Sequence, residues 1–149
     1  MRITKGIAAI IAVAATTLTT PAYAATPSCK NTTNREDRFI DGTYVLVTMH
    51  MTKCESTSTV DHIEVESPAR PHRVTRVTVY RYDYLGPTGG FWFWRNARRV
   101  WQTTASGNDT ATRHDVPVGA TVPAALNWDG IVKVQVAVGS KTRTVDLFI

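Results

Sequence analysis

The sequence predicts an all-β fold, an antiparallel β-sandwich of about seven short strands. Three observations carry that reading. Apolar and polar residues alternate through most of residues 43–149. Turn-forming residues recur at roughly 8–12-residue intervals. No stretch of residues 25–149 shows the 3.6-residue apolar period of a packed helix.

Residues 25–42 are polar and aperiodic, and are expected to form an arm ahead of a single domain spanning 43–149. Residues 43–51 (TYVLVTMHM) then alternate, with Val45, Val47, Met49 and Met51 on one face. Residues 57–66 put Ile63 and Val65 on one face and Val60, His62, Glu64 and Glu66 on the other. Pro68 to Pro71 forms a connector, since proline is excluded from central strands. Residues 73–85 are a β-branched and aromatic run, with Tyr80, Tyr82 and Tyr84 on one face. Turn clusters follow at 86–90 and 106–109. Trp128-Asp129-Gly130 leads into 131–138 (IVKVQVAV), where Val132, Val134, Val136 and Val138 share a face opposite Lys133 and Gln135. Gly139-Ser140-Lys141 reverses the chain into 142–149, with Val145, Leu147 and Ile149 inward and Asp146 outward.

This arrangement is similar to the architecture of immunoglobulin and fibronectin domains. The Cys…Trp…Cys spacing and the tyrosine ahead of the second cysteine are absent, so the likeness is one of architecture alone.

The first 24 residues read as a secretory signal peptide: Arg2 and Lys5, then an apolar run from Ile7 to Ala15, then an Ala-Tyr-Ala site ending at Ala24. The apolar run is shorter than the roughly 20 residues a membrane span needs. Removing 24 of 149 residues leaves 125, enough for one domain with its own core, sized as a monomer. The signal takes two of the 17 basic residues and none of the 12 acidic ones, so the net charge falls from +5 to about +3. That mild excess in an exported protein gives no reason to expect a nucleic-acid partner. It leaves two readings open: a solvated basic face, or contact with an anionic surface polymer.

Cys29 and Cys54 are expected to form one disulfide in an oxidising compartment. Asn31-Thr32-Thr33 and Asn108-Asp109-Thr110 are N-x-T acceptor patterns, relevant only in a glycosylating pathway.

The densest feature runs from Phe91 to Trp101. A hairpin loop over residues 95–98 would place Trp94 opposite Arg99, Phe93 opposite Val100 and Trp92 opposite Trp101. Phe91, Phe93 and Val100 then line the core, and Trp92, Trp94, Trp101 and Arg99 crowd the other face. Indole faces stack on sugar rings and on lipid head-group regions, while Arg95, Arg98 and Arg99 take up anions or lie over the rings. The competing reading buries these indoles as core.

His50, His62, Glu64 and Glu66 on the outer face of neighbouring strands form a weaker constellation, a candidate Zn²⁺ site matching no named motif. His114 and Asp115 are adjacent and so point to opposite faces of a strand, unlike a catalytic dyad. Ser56, Ser58 and Ser106 have no evident base, and no nucleophile-elbow, zinc-protease or phosphate-loop motif occurs. The expectation is a secreted, non-enzymatic binding module without a cofactor. Its contact residues would be Trp92, Trp94, Trp101, Arg95, Arg98 and Arg99, and its partner an extracellular polysaccharide or protein. The alternatives are a protease inhibitor with Arg98-Arg99 as bait, a membrane-active toxin, and a small metal-dependent hydrolase.

Overall fold

A computed structural model describes residues 28–84, 94–105, 109–124 and 129–149, and of residues 83–84 and 94–96 the main chain only. Eight strands form among them: β1 (Lys30–Ile40), β2 (Thr43–Lys53), β3 (Thr57–Glu66), β4 (Arg73–Tyr84), β5 (Trp94–Thr103), β6 (Arg113–Pro123), β7 (Gly130–Val138) and β8 (Lys141–Phe148). They build two antiparallel sheets, β1-β2-β3-β6 and β5-β4-β7-β8. The all-β sandwich is therefore the fold. With β1 set aside, β2-β3-β6 takes the place of strands A-B-E and β5-β4-β7-β8 that of C′-C-F-G in an immunoglobulin-type Greek key.

Valine dominates the core. Val45, Val47 and Met49 of β2 share one core cluster with Val132, Val134 and Val136 of β7, all at 0% exposure. β-Branched side chains suit such a layer, because their restricted rotamers pack on a pleated surface with little entropy left to lose. β7 and β8 pair from Ile131↔Phe148 to Val138↔Lys141, and Lys133 meets Asp146 across the outer face at 3.0 Å. The Gly139-Ser140 turn between them has a positive φ (57°) at its first residue only, the type II′ pattern that follows strand twist.

Two expectations change. The polar segment ahead of residue 43 is not an irregular arm over its length. Residues 30–40 form β1, paired with β2 from Lys30↔Lys53 to Ile40↔Thr43. Asp41 (φ 51°) and Gly42 (φ 73°) close this hairpin as a type I′ turn. The Cys29–Cys54 disulfide clamps its open end, one step beyond the last pair.

Val60 is the second. It belongs to the core at 0% exposure rather than to the outer face. Met51 pairs with Val60 but His50 pairs with His62, so Asp61 is an extra residue in β3. A bulge inverts the alternation on one side of itself, which lets Val60 and Ile63 both face inward.

Candidate functional site

β5 decides what becomes of the aromatic and basic run. Residues 95–98 are strand, not a hairpin loop, and β5 runs unbroken from Trp94 to Thr103 beside β4. The facing of Trp94 on Arg99 is therefore not formed, since Trp94 pairs with Tyr84 and Arg99 with Tyr80. Trp92 lies outside the described residues, as do Phe91, Phe93 and the side chains of Trp94 and Arg95.

The register within β5 sorts the rest. Val79 pairs with Trp101 but Tyr80 with Arg99, which makes Val100 an extra residue on β5. Trp101 follows Val79 inward and packs, half-buried, on the core. Arg99 follows Tyr80 outward and is exposed. Val100, expected in the core, is instead 39% exposed. Arg98 is exposed opposite Arg81. Of the six expected contact residues, the fold thus brings Arg99 to an open sheet face and directs Trp101 away from it. The Arg98-Arg99 pair sits mid-strand, where a protease-bait loop was expected.

That open face covers the second sheet. Arg76, Thr78 and Tyr80 of β4, Arg99 and Gln102 of β5, and Lys133 of β7 line a depression of about 320 Å³. Gln135, Thr144 and Asp146 complete its far wall. The Arg99 guanidinium donates to the Gln102 side-chain oxygen at 3.0 Å, which holds it along the strand. Tyr82 lies two residues beyond Tyr80 on the same face and is half-buried. Burial pushes its phenol above the ordinary tyrosine value, with Lys133 pulling it down and Asp146 up. The face thus carries cations, an aromatic row, and amide and hydroxyl groups. Tyr80 and Tyr82 were visible in the alternation of β4, and Lys133 and Gln135 in that of β7. Only the pairing of β4 between β5 and β7 unites them.

The outer face of the first sheet carries the other constellation. His50 and His62 pair across strands and stack, with ring centroids 4.1 Å apart and planes 13° from parallel. Stacked rings aim their nitrogens side by side rather than at one point, as a shared metal would require. Arg113 holds Glu64 at 2.9 Å and Glu66 at 3.7 Å. Among the described residues no group of three or more His, Cys, Asp and Glu side chains has metal-binding geometry.

Ser58 donates to Asp129 at 3.3 Å in the interior, a tie between the two sheets rather than a nucleophile with a base. His114 and Asp115 point apart as expected, the first half-buried and the second exposed. No family model matches the chain, and neither does any curated protein or solved structure.

Proposed function

We propose that this protein is an exported, non-enzymatic binding module that holds an acidic polysaccharide on the outer face of β5-β4-β7-β8. The observation carrying this reading is the cross-strand pair of Tyr80 and exposed Arg99, with Arg76 further along β4 on the same open face. Tyrosine faces stack on pyranose rings, and guanidinium groups pair with carboxylates in a fork geometry that ammonium groups lack. Gln102, Gln135 and Thr144 supply neutral hydrogen-bonding groups for ring hydroxyls. The lining of the depression runs across all four strands, from β5 to β8, which suits a polymer lying across the sheet.

Polygalacturonate, with neutral dextran as control, is the probe. Calorimetric titration of the folded protein is expected to show binding to polygalacturonate only, weakening as salt is raised. Arg99→Ala and Tyr80→Ala are each expected to lower affinity by about tenfold, the equivalent of about 1.4 kcal/mol, while circular dichroism stays unchanged. Trp101→Ala is expected to do the reverse, destabilising the fold by about 2 kcal/mol through lost packing while folded molecules bind normally. Wild-type affinity in both surface variants, or equal binding to dextran, refutes this assignment.

A further inference from the structure

At one end of the sandwich, the β3–β4 connector (67–72) and the β5–β6 connection are joined by a short run of hydrogen bonds. The Ser67 amide donates to the Thr112 carbonyl (2.8 Å), the His72 amide to the Ala111 carbonyl (2.8 Å) and the Ala111 amide to the His72 carbonyl (3.1 Å). The His72 ring is buried beneath this seam at 1% exposure, and neither ring nitrogen has a hydrogen-bond partner. The His114 ring lies edge-on to it at 4.8 Å. His114 Nε2 donates to the His72 carbonyl at 2.9 Å, because a carbonyl can only accept.

We propose that His72 is an acid-sensitive latch: a proton on its buried ring releases the β3–β4 connector from the β5–β6 connection and opens this end of the sandwich while both sheets persist. A charged imidazole needs two acceptors, and neither nitrogen of this buried ring has one within hydrogen-bonding geometry. The surrounding groups oppose the charge. β6 contributes His114, and Arg70 and Arg73 stand at the rim beside Thr110, Ala137 and Gly139. Arg70 is itself held by Asp41 of the β1–β2 turn at 3.0 Å. The main chain of Val65 favours the charged form, but burial and His114 outweigh it.

Burial and then His114 lower the His72 pKa from 6.5 to about 4. In the open state the ring meets water and recovers its ordinary affinity for protons. Between those two values the open state binds more protons, so opening is favoured as pH falls. Above 6.5 the closed end has its full stability, and below about 4 no further change accrues. The opening equilibrium should rise about 80-fold between pH 6.5 and 4, and about 300-fold in all once both values are well passed.

Amide hydrogen exchange on the intact protein, corrected for intrinsic rates, reads this directly. The amides of Ser67, His72 and Ala111 are expected to lose about 80-fold protection between pH 6.5 and 4, while those of central β2 and β7 keep theirs. His72→Phe, which cannot titrate, should flatten the dependence. If that variant does not fold, an NMR titration of the wild-type His72 ring decides, with its midpoint expected near 4. A ring titrating near 6.5 in the folded protein, unchanged protection at the three amides, or equal loss everywhere overturns the latch.

Discussion

Gly130→Ala is expected to destabilise the protein by about 3 kcal/mol, lowering the melting temperature by roughly 10 °C. Gly130 opens β7 opposite Arg81 of β4, and an added Cβ would overlap the main-chain carbonyl oxygen of Tyr80 and press on Ile149. A side chain could rotate away, but a carbonyl held in a ladder cannot. Relief requires prising β4 from β7 where three strands meet: the Ile149 amide donates to the Gly130 carbonyl (3.0 Å) and the Tyr82 amide to the Asp129 carbonyl (3.1 Å). Strained packing costs about 1–3 kcal/mol, and each weakened hydrogen bond adds about 1 kcal/mol. Gly119→Ala is the internal control. Its φ is 67° and an added Cβ meets nothing within 4 Å, so only the left-handed backbone penalises it, by about 1–2 kcal/mol. Equal melting temperatures for Gly130→Ala and wild type would contradict the close approach of β4 and β7.

Replacing Cys29 and Cys54 together by alanine is expected to cost about 3 kcal/mol, from the entropy of the loop their bridge closes over a sequence separation of 25. The loss should fall first on β1. This edge strand pairs only with β2 and turns Thr32, Asn34 and Glu36, polar and half-buried, toward the sandwich. Ile40 alone is fully buried. One tie to the second sheet is the Asn34 side chain, whose Nδ2 donates to the Phe148 carbonyl at 2.9 Å. With little apolar burial to hold it, β1 depends on its two ends, the Asp41-Gly42 turn and the disulfide. Urea denaturation should show the lower stability, and hydrogen exchange should show β1 amides deprotected while β3 and β7 remain closed. Unchanged protection in β1 would mean that the ladder to β2 suffices.

The strength and weakness of sequence reasoning here have one physical origin. Where a strand buries one complete face, as β2 and β7 do, the alternation is written in the side chains and needs no tertiary knowledge. β1 buries almost nothing apolar, so its alternation is silent. Its only local signal was Asp41-Gly42 between Phe39-Ile40 and Thr43-Tyr44-Val45, a dipeptide that favours type I′ hairpins. The candidate site was half-legible. Tyr80, Tyr82 and Arg99 stood out as residue types, but Arg76 and Gln102 join them only through the register of β4 with β7 and β5.

The amino-acid order alone thus determined the sandwich and the β7–β8 hairpin, because each rests on interactions between near neighbours or on burial repeating every second residue, and the cysteine pairing, because the chain has two cysteines. The tertiary structure decided which way Val60, Arg99 and Trp101 face. A single extra residue, Asp61 in β3 or Val100 in β5, reverses every position beyond it, and whether a bulge forms depends on the partner strand rather than on the chain that carries it.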